Sequence, residues 1–322
     1  LLLLTGDLKR RWRDYAARLK IAGQAPQTDH GLPAWAGANL KNKRLLVTAE
    51  QGVGDELMFA SLIPALVARA TEEGGSIILE CDARLAPLFA RSFPDLRVQA
   101  SQRQTHEGRV HAQYGWLRQA GGANFAIEIG SLPRHLCNDL AAFPDSHSYL
   151  DPDEIEVLDW QSALARLGSG PFIGVCWRSG KMTDGRAQNF APLELWADLL
   201  RDLPGTPVCV QYDATADEVE KLGELCGKAI IVPDSIDQKN ELDRVDALLC
   251  ALDIVVSAPT AVSWLAAGIG MPTFKLLRDK GWTSFGTDHE PFAPSARCIV
   301  PGHSGDWVDC FNKAKAEISS RL

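Results

Sequence analysis

The sequence predicts an α/β protein of two tandem domains, each a parallel sheet covered on both faces by helices. Short apolar runs rich in β-branched residues alternate with stretches of helical periodicity, which is the pattern of βαβ units. The alternation runs twice, from about residue 41 to 167 and again from 168 to 305. A length of 322 residues also exceeds one ordinary domain. Two such series imply two Rossmann-like domains, with a cleft between them as the expected ligand site.

Residues 1–40 precede this pattern. The stretch Leu4-Thr-Gly-Asp-Leu-Lys-Arg-Arg-Trp-Arg-Asp-Tyr15 is helical in character, with Trp12 and Tyr15 at helical spacing. It resembles the closing helix of a tetratricopeptide array, whose single repeats cannot bury a face alone. Trp12 and Tyr15 are therefore expected to pack on the next domain or on repeats upstream. The segment 23–40, punctuated by Gly23, Pro26, Gly31, Pro33 and Gly37, reads as a linker. The chain has no initiator Met, so a fragment of a longer protein is expected.

The first domain opens with the strand 45–47, followed by Glu50-Gln-Gly-Val-Gly-Asp55. Gly52 and Gly54 can take positive φ and admit a close neighbour, and Asp55 can cap the helix that follows. Phe59, Ile63, Leu66 and Val67 share one face of that helix, which Pro64 should kink. Strand, glycine loop and helix start form a site for anions or for a catalytic side chain, although a plain βα turn would look the same. Strands are expected at 76–81, 96–100 and 124–129, with a helix at 84–93 and a polar surface loop over 101–121.

An acidic connection over 149–159 leads to a helix at 160–167. Strands then follow at 172–177, 207–211, 229–232, 253–257 and 272–277. The helices between them span 193–203, 216–226, 241–252 and 261–267. A terminal helix over 306–322 closes the chain and is expected to cross back onto the first domain.

Three turns of the second series stand at strand ends, where open α/β sheets bind ligands. Trp177-Arg-Ser-Gly-Lys181 offers an aromatic, two cations and a hydroxyl for a phosphate, with Arg178, Ser179 and Lys181 as the polar contacts. A solvated turn with Trp177 in the core is the alternative. Gln211 and Tyr212 end the next strand, where Gln211 can read a base edge. Ser257, Thr260 and Ala261 lead into a helix whose free N–H groups can hold a phosphate. Asp151-Pro-Asp153 mimics a D-x-D metal motif but reads as a solvated connector, and the histidines lack metal spacing.

Composition narrows the function classes. Apolar residues make up 46% and charged residues 23%, the balance of a soluble globular protein. A formal charge of −8 argues against a general nucleic-acid or membrane surface, and no run is long enough to span a bilayer. The eight cysteines form no C-x-x-C pair and read as small buried residues in a reducing, cytoplasmic setting.

Taken together, Glu50-Gln-Gly-Val-Gly-Asp-Glu-Leu-Met-Phe-Ala-Ser-Leu-Ile-Pro64, Gly130-Ser-Leu-Pro133, Gly174-Val-Cys-Trp-Arg-Ser-Gly180, Leu252-Asp-Ile-Val-Val-Ser257, Thr260 and Leu265-Ala-Ala-Gly-Ile-Gly-Met-Pro272 resemble the glycosyltransferase domain that follows tetratricopeptide repeats in bacterial proteins. That domain is itself similar to the ADP-heptose transferases. The resemblance implies a GT-B fold, an acceptor on the first domain, a nucleotide-sugar donor on the second, and no metal or other cofactor. It makes Asp55 the general base, with Glu50, Gln51, Gly52 and Gly54 around the acceptor. The donor contacts it implies are Trp177, Arg178, Ser179, Lys181, Gln211, Tyr212, Ser257, Thr260 and Ala261. Relatives carry Asp-Thr-x-x-x-His before Leu-Ala, whereas Pro259 and Trp264 stand at those places here. This departure puts an ordinary nucleoside-diphosphate donor in doubt. Gln211-Tyr212 and Trp282-Thr-Ser-Phe-Gly286 are closer to the branch that modifies flagellin with nonulosonic acids from CMP-linked donors, where the repeats would capture flagellin. Three classes stay open: a glycosyltransferase, a nucleotide- or sugar-binding domain without turnover, and a protein-interaction scaffold.

Overall fold

The computed structural model describes residues 8–20, 27–49, 52–106, 109–180 and 187–322. The chain divides into two compact units, Leu1–Asp145 and Ser146–Leu322.

In the first unit, helix α1 (Leu8–Tyr15) buries Leu8 and Trp12. The Trp12 indole N–H donates to the Cys137 carbonyl at 2.8 Å, and the Tyr15 ring lies 6.3 Å from that of Phe59. Both aromatics thus pack within this unit, one of the two expected outcomes. The expected linker is different. Strand β1 (Gln27–Thr28) begins its described part, Trp35 N–H donates to Ala126 O, and Ala126 N–H donates back to Pro33 O. Trp35 and Leu40 are buried, so two apolar anchors hold a segment that Gly and Pro punctuation made look free.

Strand β2 (Arg44–Thr48) leads through the glycine turn into α2 (Val53–Ala60) and α3 (Ile63–Glu73). Pro64 lies in the first turn of α3, where its missing N–H costs nothing, so the expected kink becomes a break at Ser61–Leu62. Strand β3 (Ser76–Cys81), α4 (Ala86–Ser92) and β4 (Arg97–Ala100) follow. The expected loop over 101–121 instead contains an antiparallel hairpin, β5 (Arg103–His106) and β6 (Arg109–Ala112), with β1 alongside β6. Its strands are nearly all polar, so no apolar alternation marks them. Trp116 and Leu117 then cover Leu46, Ile78 and Ala126 on one face of the main sheet. Strand β7 (Phe125–Glu128) and the short α5 (Pro133–Leu136) complete the unit. The main sheet is parallel in the order β4-β3-β2-β7.

The second unit opens with α6 (Glu154–Leu167). Asp153 caps it, accepting from the N–H groups of Ile155 and Glu156 at 3.0 and 3.2 Å. The Asp-Pro-Asp motif is thus explained by a helix cap, and the helix begins six residues earlier than expected. Strand β8 (Phe172–Cys176), α7 (Leu193–Asp202), β9 (Thr206–Cys209), α8 (Ala216–Cys226), α9 (Leu242–Cys250), β10 (Ile254–Ser257), α10 (Ala261–Gly268) and β11 (Thr273–Leu276) follow. The chain ends with β12 (His289–Glu290), β13 (Ala293–Ile299) and α11 (Trp307–Ser319). Helix α6 packs on α9, with Arg244 Nε 3.4 Å from Glu156. This places α6 in the second unit, so the passage falls at Asp145–Ser146 and not at 167–168. The terminal helix packs on its own sheet, where Phe311 meets Trp196 edge-on at 5.2 Å.

The six-stranded sheet runs β12-β13-β11-β10-β8-β9, parallel except for β12 against β13. The strand expected over 229–232 shrinks to one bridge between Ile231 and Val208. In both units the first strand has the second on one side and a later strand on the other. That reversal of order opens a crevice at the carboxyl ends, between β2 and β7 and between β8 and β10.

Candidate functional site

The first unit carries one of the turns singled out in the sequence at its strand ends, and the second unit carries three. In the first unit, Gly52 is the N-cap of α2, and Asp55 is the third helical residue rather than the cap. The Gly52 backbone is extended at φ −92°, and Gly54 lies within the helix, so neither takes the expected positive φ. What the glycines provide is an absence of side chains at the helix start. Asp55 is partly exposed, and its Oδ2 accepts the Gly52 N–H at 3.4 Å. Glu50 and Gln51 lie outside the described residues.

Beneath Asp55 is a group of charges that sequence reasoning missed. Glu56 and Glu80 are each only 1% exposed. Glu56 Oε2 accepts the Asp82 N–H at 2.7 Å, and Oε1 lies 3.5 Å from Nη2 of Arg103. Glu80 Oε2 accepts the Tyr114 hydroxyl at 3.1 Å. Burial pushes the Glu56 carboxyl up to about 8 and that of Glu80 up to about 7. Burial also raises the Tyr114 hydroxyl, with the Glu80 charge adding to it. The available signal was a carboxylate inside each of two apolar runs, Glu56-Leu-Met-Phe-Ala60 and Ile77-Ile-Leu-Glu80.

In the second unit the turns after β8 and β9 are laced together. The Gln211 Oε1 accepts the Arg178 N–H at 2.9 Å, and the Tyr212 hydroxyl accepts the Gly180 N–H at 2.9 Å. A Cβ on Gly180 would lie 2.1 Å from Asp213 Oδ2 and 2.5 Å from the Tyr212 oxygen, so any other residue there would displace those two side-chain ends. Trp177 is buried, in keeping with the core alternative for that ring. The Arg178 guanidinium is not an open cation. Nε and Nη2 donate to the two oxygens of Glu218, each at 2.6 Å, and Nη2 also reaches the Asp213 carbonyl at 2.7 Å. Nη1 makes only a long bond, to Ser179 O at 3.4 Å. The Arg178 charge holds the Glu218 carboxyl down at about 2. Glu218 forms a reciprocal cap with Thr215 at the start of α8, so that helix end is already filled. Lys181 lies outside the described residues.

The third turn meets the other two at Cys176. Its buried Sγ donates to Gln211 Oε1 at 3.4 Å and lies 3.4 Å from the Thr260 hydroxyl. Thr260 is the N-cap of α10, but its side chain caps no N–H of the first turn, which begins at Ala261. Ser257 donates to Ala258 O at 2.6 Å and touches Thr260 at 3.3 Å. Trp264 is turned inward, with Lys275 Nζ 3.9 Å from its ring centroid, and Lys275 pairs with buried Glu290. A cavity of about 650 Å³ opens beside this junction, lined by Gln211, Tyr212, Thr215, Val219, Ile236 and Gln238 among others. Gln211 Nε2 and Gln238 Oε1 are buried there with no partner among the described residues. The cavity wall mixes polar and apolar groups, and the two unpaired amide atoms lie buried behind it, so a ligand that used them would need both amides to turn outward.

The described residues contain no helix long and apolar enough to cross a membrane and no group of three His, Cys, Asp or Glu placed to hold a metal ion.

This arrangement of sheets and crevices is the α/β fold of GT-B-like glycosyltransferases. The glycosyl transferase family 9 structure from Veillonella parvula superposes with a TM-score of 0.60 at 14% identity, over 88% of this chain and 97% of that one. The E. coli ADP-heptose LPS heptosyltransferase II gives 0.59 at 14% identity, over 86% and 98%. The E. coli heptosyltransferase WaaC, solved with ADP, gives 0.54 at 14%, over 87% and 100%. In sequence, the chain is 36% identical over 308 residues to Protein FlbA of Caulobacter vibrioides, covering 95% of this chain and 52% of that protein. It thus spans about half the length of the curated relative it matches. No family model matches the chain.

Proposed function

We propose that the chain is a metal-independent glycosyltransferase that moves a sugar from a nucleotide-activated donor to a hydroxyl of a protein acceptor. The observation that carries this reading is the junction at Cys176, which links Gln211 on the cavity wall to Thr260 at the uncapped start of α10. A base in the cavity would pair with Gln211 and Gln238. The leaving phosphate would take the N–H groups that begin at Ala261, with the Thr260 hydroxyl beside them and Arg178 Nη1, Ser179 and Lys181 in support. Tyr212 holds the turn that Arg178 and Ser179 occupy. ADP in the WaaC structure is consistent with a nucleotide in this fold.

In the transfer, the acceptor oxygen bonds to the anomeric carbon as the bond from that carbon to the phosphate oxygen breaks. The phosphate leaves with the electron pair, and Asp55 takes the acceptor's proton. Gly52 and Gly54 leave room for the acceptor, and the sequence resemblance assigns Glu50 and Gln51 to the same loop. By the sequence resemblance, the donor is a CMP-linked nonulosonic acid and the acceptor is flagellin, captured by tetratricopeptide repeats upstream. Pro259 and inward-turned Trp264 favour a second reading, a nucleotide-binding domain without turnover.

A thermal-shift panel of CMP-, UDP-, GDP- and ADP-sugars, followed by a transfer assay on Asp55→Asn with and without EDTA, tests the proposal. Binding of one nucleotide class is expected, with transfer insensitive to EDTA and reduced in the variant by about 10² or more. Asn caps or braces a helix start nearly as well as Asp, so activity within a few-fold of wild type would leave Asp55 a structural residue. Binding without any transfer would establish the second reading.

A further inference from the structure

Helix α2 has an inward-facing carboxyl where an apolar side chain would pack at less cost. From Glu56 to Ala60 every residue is buried, and Glu56 is the one charged residue among them. It follows Asp55 directly. Its two oxygens reach two different elements, the Asp82 N–H in the β3–α4 connection and the Arg103 guanidinium on β5. Asp82 is itself fixed, because Arg84 grips its carboxylate at 2.9 and 3.0 Å. Arg103 is steadied by a 2.9 Å bond from Nε to Ser101 Oγ. The first turn of α2 is thereby tied at one point to two neighbouring segments. Burying a polar carboxyl carries a desolvation cost that an apolar side chain would not, so its presence calls for a role other than stability.

From this geometry we infer that Glu56 is a positioning residue, which fixes the turn that presents Asp55 by bridging Asp82 and Arg103. The inference rests on the reading of Asp55 as the general base. The groups facing Glu56 are Arg103, Asp82, Glu80 and the Cys81 thiol. Burial pushes the Glu56 carboxyl up to about 8, the charges of Asp82 and Glu80 adding to it, while the Asp82 N–H and the Arg103 charge pull the other way. In its protonated form it still accepts from Asp82. Ionisation strengthens its pull on Arg103 and adds charge beside Glu80, so the placement of Asp55 changes across that pH range.

The test compares Glu56→Ala and Glu56→Gln in the 322-residue chain by hydrogen exchange and by the pH profile of transfer. Glu56→Ala is expected to speed exchange of the first-turn amides of α2 about tenfold or more. It should also lower kcat about 10- to 100-fold, as a small misplacement of a catalytic group does, with donor KM unchanged. Glu56→Gln keeps the acceptor for Asp82 but cannot ionise. It should recover most of the lost kcat and abolish the inflection near pH 8. A Glu56→Ala protein with wild-type exchange at the first turn would overturn the inference, as would a Glu56→Gln protein that retains the inflection. If the wild type transfers no sugar, the functional reading fails, and the exchange comparison alone decides the role of Glu56.

Discussion

The pairing of Arg178 with Glu218 offers the most direct test of how the second unit's turns are held. Glu218→Gln keeps the side-chain oxygen that accepts the Thr215 N–H, and removes the charge that grips the guanidinium. The two side chains are 16% and 27% exposed, so solvent screens the pair only in part. A fall in the carboxyl from 4.5 to about 2 converts, at about 1.4 kcal/mol per unit, to roughly 3 kcal/mol. Partial exposure and the neutral bonds that Gln retains bring the expected loss to about 1.5–3 kcal/mol at pH 7. The sign follows from a lowered folded-state value. The contribution is full above the unfolded value of about 4.5, and it is lost as pH falls through about 2. At pH 3 the variant should therefore differ from wild type by less than half as much. Urea denaturation at both pH values measures this. A difference below about 0.5 kcal/mol at pH 7 would show that the contact is solvated and worth little. An equal difference at both pH values would show that something other than the charge is responsible.

Two further outcomes are expected. Gly180→Ala should displace the ends of the Asp213 and Tyr212 side chains and break the bond from the Gly180 N–H to Tyr212, costing about 0.5–1.5 kcal/mol, and denaturant midpoints should show it. Val219→Phe should fill part of the cavity and weaken nucleotide binding about tenfold or more in calorimetry, while leaving the melting temperature of the free protein nearly unchanged.

The central strands were the most legible part of the chain. Ile254–Ser257 and Phe172–Cys176 are buried on both faces, so their apolar runs needed no knowledge of neighbours. The hairpin from Arg103 to Ala112 was not legible, because its strands are mostly polar and its contacts, such as that of Arg103 with Glu56, 47 residues away, are distant in sequence. The segment around Trp35 reads as a linker for a related reason, since local Gly and Pro signals describe the path of a chain and not what holds it down. The turns proposed to carry the site do stand at strand ends, which the topology explains. Their chemistry was harder. Arg178 and Glu218 are 40 residues apart, and nothing in the sequence of either turn announces that the cation is already matched. Glu56 was passed over because its neighbour Asp55 accounted for the acidic start of a helix.

The bonds from Arg178 and Gly180 to Gln211 and Tyr212 make one plate of two turns that are separate in sequence. A ligand meeting this rim finds little left to immobilise, so the entropic cost of ordering loops is met during folding and not at binding. Affinity can then rest on a few well-aimed contacts, with little induced fit at this edge. The same rigidity limits tolerance. On the proposed reading, a donor whose base or phosphate sat differently would not be accommodated by moving one turn, because the other would have to move with it. Selectivity for that donor would then be a property of the stitching between Trp177–Gly180 and Gln211–Thr215 as much as of any side chain facing it.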